Sequence, residues 1–303
     1  MTAPDPRPRS WQRGGARRLT PAADGSRALR WAVLLLGLVL VIGAAGSLAT
    51  VTWATRVADG EYDDIPAAHE LGTPDSLAVA AEVTDITAVR DPEATQVTAA
   101  LVEPGATTLP ATGETVRARV TLGGTEADRE VEVDVPRTSH PVPWMTTQRD
   151  LLVVIPPEHE LALEATNWVG DIEAEGAFTR VMARTSAGDV ELRDISVAKD
   201  VSVTSEVGDV ELSLADSVPG GIDVANPLGD TSVRLAPEAE GDLTVAAGVG
   251  DVEVAAPGSG RYAVEAHSEI GETTIDPDLV SGDGEVLGTL IASSSSGDVT
   301  VGR

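Results

Sequence analysis

The sequence predicts an all-β fold, a β-solenoid with a repeat of about 21 residues, preceded by one transmembrane α-helix. Three observations predict it. A Gly-Asp dipeptide, Gly-Glu in one case, recurs through the second half of the chain at steps of 18 to 26 residues. Apolar and polar residues alternate around these dipeptides, as they do in half-buried strands. One long uncharged apolar run lies near the N-terminus.

Three different segments make up residues 1–75. Residues 1–30 are basic and rich in Pro, Gly and Ala, which predicts a disordered tail. Residues 31–53 are apolar and, as a helix, long enough to cross a bilayer. Trp31 and Trp53 stand at its ends, where aromatic side chains meet the membrane interface. Residues 54–75 are acidic and predict a stalk or an N-terminal cover.

The predicted span also predicts a location. Because a basic tail precedes it, the positive-inside rule places the tail in the cytoplasm and the rest of the chain outside. We therefore expect a single-pass protein of the cell membrane, anchored by residues 31–53. A cleaved signal peptide, with Ser47-Leu48-Ala49 as its cleavage site, is the alternative.

Residues 76–303 predict one strand after another. The run Leu151–Ile155 is wholly apolar and ends at Pro156, which indicates a buried strand. In the repeats, each dipeptide precedes an alternating strand, and a second short strand follows. Each unit is then either one coil of a solenoid or a hairpin of a meander or propeller-like sheet. The predicted corner glycines are Gly170, Gly188, Gly208, Gly229, Gly250, Gly271 and Gly297.

Short motifs in residues 76–303 resemble the bacterial putative-adhesin family, a β-strand-repeat domain of unknown function. The resemblance rests on the runs Leu151–Pro157, Trp168–Ile172, Ser186–Val190 and Ser295–Val301. It implies a right-handed β-helix-like solenoid, often behind a single membrane anchor. Between Gly105 and Thr147 the chain departs from the repeat.

If the units stack, acidic residues form two rows. Carboxylates about 5 Å apart repel one another, and Ca²⁺ could bridge them. The alternative is that each Asp caps its own turn. We expect no other cofactor. The candidate metal ligands are Asp171, Asp189, Asp209, Asp230 and Asp251, with Glu173, Glu191, Glu211 and Glu253 in the second row.

Several functions are disfavoured by composition and motif. The chain has no Cys and a net charge of −28, so thiolate chemistry is excluded and nucleic-acid binding is not expected. The four His residues show no metal-ligand spacing, and no phosphate loop is present. Arg180, Arg184, Arg193 and Lys199 lie near Asp189 and Asp194, where they balance charge or serve a polysaccharide lyase. We expect charge balance and no catalytic residue, and we expect Trp168 to pack at its corner.

The predicted function is that of a non-enzymatic cell-envelope protein whose repeats bind a partner, in an adhesin-like way, or bear a structural role. The expected partner is an envelope polymer or protein, with self-association at the open edge near Val301–Arg303 as a further prediction. The alternatives are a membrane-anchored regulator of envelope stress and, more remotely, a carbohydrate-active enzyme.

Overall fold

The computed structural model describes residues 62–136, 148–281 and 285–303. The chain divides into two compact units, Met1–Val57 and Ala58–Arg303, and all the described residues belong to the second. The predicted tail, the predicted membrane span with Trp31 and Trp53, and part of the predicted stalk lie outside the described residues.

Twenty-two strands are present in the described residues, and they are short, with few aromatic side chains. Their bounds in the first half of the domain are β1 Asp63–Pro66, β2 Ala68–Gly72, β3 Ser76–Val83, β4 Ile86–Arg90, β5 Val97–Val102, β6 Thr115–Gly124, β7 Asp128–Asp134, β8 Asp150–Ile155, β9 Ala162–Val169, β10 Ile172–Phe178 and β11 Arg180–Ala187. In the second half they are β12 Val190–Val197, β13 Val201–Ser205, β14 Val210–Leu214, β15 Ile222–Leu228, β16 Thr231–Arg234, β17 Leu243–Val249, β18 Val252–Ala255, β19 Arg261–Ser268, β20 Thr273–Ile275, β21 Val286–Ser296 and β22 Val299–Gly302.

The strands form two 11-stranded sheets within the described part of the chain. The first sheet has the order β1-β6-β7-β3-β9-β11-β13-β15-β17-β21-β19, and the second has the order β2-β5-β8-β4-β10-β12-β14-β16-β18-β22-β20. From β9 onward, successive strands alternate between the sheets, and neighbours within each sheet are parallel. Val190 pairs with Val210, for example, so equivalent residues of successive repeats lie side by side.

The core lies between the two sheets. Inward positions carry Val, Leu, Ile and Ala at every second residue, because alternation along a strand directs one face to the core. The prediction for Leu151–Ile155 is confirmed: every residue of β8 is buried. Its outward residues Leu152 and Val154 pack in a small second cluster with Ala100 and Val102 of β5.

The prediction of a uniform β-solenoid is wrong, although the all-β class is right. The sheets are mixed, because β1, β2, β5 and β6 pair with their neighbours antiparallel. Residues 62–136 contain no Gly-Asp dipeptide. Instead β6 ends at Gly124 and β7 begins at Asp128, and so short a connection returns the chain antiparallel beside itself.

The C-terminal strands also break the simple order. β21 inserts between β17 and β19, and β22 inserts between β18 and β20. The predicted open edge at Val301–Arg303 is therefore an interior strand, and β19 and β20 lie last in their sheets. The connection from β20 to β21 contains α1, Pro277–Val280, which Asp276 caps and whose Leu279 is buried.

The predicted transmembrane helix, and with it the predicted single-pass location in the cell membrane, is not supported by the structure. No helix of residues 62–136, 148–281 and 285–303 has the length and apolarity that crossing a membrane requires. The helix α1 spans only about 6 Å at ~1.5 Å per residue, against a hydrocarbon core about 30 Å thick.

Candidate functional site: the Gly-Asp edge

The predicted corner glycines lie in one row along the edge where strands of the first sheet pass to the second. All seven have φ between +134° and +153°, a region that residues with a Cβ rarely adopt. The corners also stack closely. A Cβ added at Gly188 or Gly208 would overlap the carbonyl oxygen of the preceding corner glycine. Glycine is thus required by both conformation and contact, and we call this row the Gly-Asp edge.

The acidic residues after these glycines, together with Asp85 of the preceding turn, form a continuous hydrogen-bonded row, which we call the Asp row. In each case one carboxylate accepts a hydrogen bond from the backbone N–H of the next member, at 2.7 to 2.9 Å. Such charge-assisted bonds offset repulsion between neighbouring carboxylates, which is about 1 kcal/mol at this spacing in water. The members, in spatial order, are Asp85, Asp171, Asp189, Asp209, Asp230, Asp251, Asp298 and Glu272.

The five predicted metal ligands are therefore brought together, but in a row in which Oδ1 of each already accepts a backbone hydrogen bond. Among the described residues, no group of three or more His, Asp or Glu is placed to hold a metal ion. The geometry shows that each Asp caps the next corner. The alternative, that each Asp caps its own turn, named the wrong partner, because these hydrogen bonds join two repeats. Calcium binding stays a prediction.

A buried carboxyl group lies at the start of this row. Asp150 is adjacent to Asp85 across the β8–β4 pair and is only 5% exposed. Burial raises the pKa of Asp150, and the nearby charges of Asp85 and Asp171 add to the rise, whereas a hydrogen bond from Gly105 N–H at 2.7 Å opposes it. Its Oδ1 has no hydrogen-bond partner within the described residues.

A second row, which the sequence reasoning missed, lies inside the corners. A small polar residue stands three positions before nearly every corner glycine, and several of them donate to a glycine carbonyl. Thr185 Oγ1 donates to Gly170 O at 3.1 Å, and Ser205 Oγ donates to Gly188 O at 3.1 Å. The recurring polar residue at this spacing was visible in the sequence. The row comprises Asn167, Thr185, Ser205, Asn226, Ser294 and Ser268, with Ala247 as its one apolar member.

Large apolar side chains are exposed along the same edge. They directly precede corner glycines and are between 47% and 71% exposed. Backbone hydrogen bonds between corners place Val207, Leu228 and Val249 on three consecutive rungs, with Ala187 and Ser296 completing the row. We call this row the apolar ridge; its large members are Val169, Val207, Leu228, Val249 and Ile270.

Trp168 stands next to the first rung of the ridge and is 67% exposed. The prediction that this indole packs at its corner is therefore wrong. The inward position before that corner is occupied by Asn167, which donates from Nδ2 to Thr84 O at 2.6 Å. Because Trp168 follows Asn167 in β9, alternation directs the indole outward.

The basic residues considered for lyase chemistry are dispersed. Arg180 pairs with Asp200 at 2.9 Å in the first sheet. Arg193 lies in the second sheet, where it pairs with Glu191 and, at 3.8 Å, with Glu173. Glu191 and Arg193 line a cleft of about 280 Å³ on that sheet. Arg193 therefore balances charge in the predicted Glu row, whereas Arg180 pairs with a carboxylate that belongs to neither predicted row.

A half-buried arginine has a structural role of its own. Arg90 donates to the carbonyl oxygens of Pro156 at 2.6 Å and of Pro157 and His159 at 3.0 Å. Its guanidinium lies 5.6 Å from the Phe178 ring centroid, and burial lowers the pKa of Arg90. These contacts hold the loop after β8 against the end of β10, beside an open cleft of about 440 Å³.

Comparison with known proteins gives a distant likeness. No family model matches this chain, and no curated protein does. Two solved structures match 80% of it and 97% of their own chains: a putative cell adhesion protein from Clostridium sporogenes, with 10% identity and a TM-score of 0.34, and a putative adhesin from Bacteroides fragilis, with 13% identity and a TM-score of 0.40. Both names agree with the family that the sequence motifs resemble. At these TM-scores, however, the structural likeness supports no conclusion about this chain.

Proposed function

We propose that this chain is a non-enzymatic binding module with an adhesin-like role, and that the Gly-Asp edge is its contact surface. The apolar ridge is the observation that carries the proposal. Large apolar side chains in one exposed row, rather than scattered singly, are the usual mark of an interaction site.

The backbone under the ridge supports the proposal. Each corner is fixed by a glycine conformation, by a hydrogen bond along the Asp row and, at most rungs, by a buried polar side chain. The ridge side chains are therefore held at a spacing of about 4.8 Å with little freedom left to the backbone. A partner that contacts this surface loses little free energy in ordering it.

The absence of catalysis is part of the proposal. It is supported by the dispersal of the basic residues over two sheets and by the pairing of Arg193 with Glu191 and Glu173, two of the carboxylates that line its cleft. At this cleft Arg193 is engaged by the carboxylates beside it rather than held free for a substrate, which is not the arrangement that a reaction on carbohydrate requires.

The test is a binding screen with the full-length protein. Cell-wall polysaccharides and envelope proteins are each tested for retention, with and without calcium. A ridge variant, V207S/L228S/V249S, is compared with a control variant, L109S/L122S/V286S, which removes an equal number of exposed apolar side chains elsewhere. We expect a ligand that retains the wild type and the control but binds the ridge variant at least about tenfold more weakly, since three contacts are lost. Equal retention of the ridge variant would show that the edge is not the contact surface.

A further inference from the structure

We propose that the partner of the Gly-Asp edge is a cationic amphipathic α-helix, laid along the apolar ridge with its basic residues over the Asp row. This inference rests on the proposed function and names the class of its partner. Three properties of the edge support it: its charge, its spacing and its length.

Charge comes first. The Asp row lies two residues beyond the ridge on every rung, and Asp189, Asp209, Asp230 and Asp251 are exposed. On the other side of the ridge, Glu206 is exposed as well. An apolar strip bordered by carboxylates is complementary to an apolar strip bordered by Lys or Arg. The same charges repel a second copy of this chain, whose net charge is −28, and an anionic lipid surface.

Spacing distinguishes a helix from an extended segment. Rungs of the ridge follow one another at about 4.8 Å, the separation of neighbouring strands. A helix laid along the row presents its apolar stripe every 5.4 Å or so, one turn at a time. An extended peptide presents side chains on one face only about every 6.8 Å and loses register within a few rungs. The ridge therefore matches a helix more closely.

Length sets the size of the partner. Val169 to Ile270 covers seven rungs in spatial order, or roughly 29 Å at ~4.8 Å per step. About 19 helical residues cover that distance at ~1.5 Å each. The compact centre of the ridge, Val207–Leu228–Val249, lies within reach of a helix of about 14 residues. This is the groove-and-helix mode of peptide recognition, with an acidic border in place of a closed groove.

The experiment uses three synthetic peptides of about 14 residues, a length that covers the ridge centre with about one further helical turn at either end. The first contains equal numbers of Leu and Lys in a helical period. The second has the same composition in strict alternation, and the third repeats the helical pattern with Glu in place of Lys. Binding to the full-length protein is measured by fluorescence anisotropy at low and high salt, and thermal unfolding checks that each variant is folded.

We expect the helical Lys peptide to bind at least about tenfold more tightly than either of the others. The ridge variant V207S/L228S/V249S should weaken that binding about tenfold, and D209N/D230N/D251N should weaken it severalfold and reduce its salt dependence. Equal binding of the alternating peptide, or no effect of the ridge variant, would overturn the inference. If no peptide binds while the screen above still yields a ridge-dependent ligand, the helix is wrong and the proposed function stands; if neither is ridge-dependent, both fail.

Discussion

At the residue scale, the buried polar residue three positions before a corner glycine supports the corner from inside. Ser205 is fully buried, and its hydroxyl donates to the Gly188 carbonyl. A carbonyl group that is buried without a hydrogen-bond donor costs more folding free energy than a hydrogen-bonded one contributes. This explains why a polar residue recurs at a position that otherwise belongs to the apolar core.

Ala247, the one apolar member of this row of buried polar residues, and Ser205 give a paired prediction. Ser205→Ala should lower the free energy of unfolding by about 1 kcal/mol, because the Gly188 carbonyl loses its donor. Ala247→Ser should raise it by up to about 1 kcal/mol, because a hydroxyl there is placed to reach the Gly229 carbonyl as Ser205 reaches Gly188. Chemical denaturation measures both. Ser202→Ala, on the outer face of the same strand as Ser205, is the control and should change little. A loss of stability in Ala247→Ser would contradict the donor role.

Asp150 gives a pH-dependent prediction. Because its folded pKa is raised, this carboxyl contributes stability that is fully present below its unfolded pKa and is lost as pH rises through the folded pKa. Asp150→Asn removes that loss, so the stability of the variant relative to the wild type should increase from about pH 3 toward pH 7. Denaturation curves across this range test it, with the exposed Asp223→Asn as the control. A relative stability independent of pH would show that Asp150 titrates normally.

At the element scale, the C-terminal strand has a role that its position in the chain conceals. β22 lies between β18 and β20 and buries Val299 and Val301 completely. Burying two such side chains contributes roughly 3 to 6 kcal/mol. That is a large fraction of the 5–15 kcal/mol by which domains are typically stable.

Truncation tests this insertion. Removing residues 299–303 should abolish cooperative unfolding or lower the midpoint temperature by well over 10 °C, since an interior strand of the second sheet is lost. Removing Arg303 alone, which donates to the carbonyls of Gly260 and Asp278, should have a much smaller effect. Circular dichroism melts and limited proteolysis distinguish the two. A truncated protein that unfolds like the wild type would place β22 at an edge.

Local periodicity predicted the elements better than their arrangement. The apolar run of β8 and the alternation after each Gly-Asp have physical causes within a few residues, so the sequence reveals them. The positions of β21 and β22 in their sheets depend instead on which neighbouring strands bury them best. The longer step before Gly297 indicates extra residues in that repeat, but it does not indicate which strands they separate. The position of Trp168 differs from the prediction because alternation after Asn167 directs the indole outward, although a large indole usually packs.

At the scale of the whole molecule, the dominant feature is its excess of negative charge. The chain carries 49 acidic residues against 21 basic ones, and the Asp row concentrates eight of the acidic ones along a single edge. Each row carboxylate is both an acceptor that joins two repeats and a charge that repels its neighbours. Which effect is larger decides whether the row stabilises the fold or is retained for another reason, such as contact with a cationic partner.

Neutralising alternate members separates the two effects. D189N/D230N keeps a side-chain oxygen at each position to accept the hydrogen bonds of Asp209 and Asp251, but removes two charges from the middle of the row. If repulsion is the larger effect, this variant should be more stable than the wild type by about 1 kcal/mol at low salt. The difference should vanish near 1 M NaCl, where the screening length is about 3 Å. Calcium added at matched ionic strength is the decisive comparison: a larger gain for the wild type than for the variant would establish metal bridging along the row. A variant that is less stable than the wild type at every salt concentration would show that the charge-assisted hydrogen bonds outweigh the repulsion.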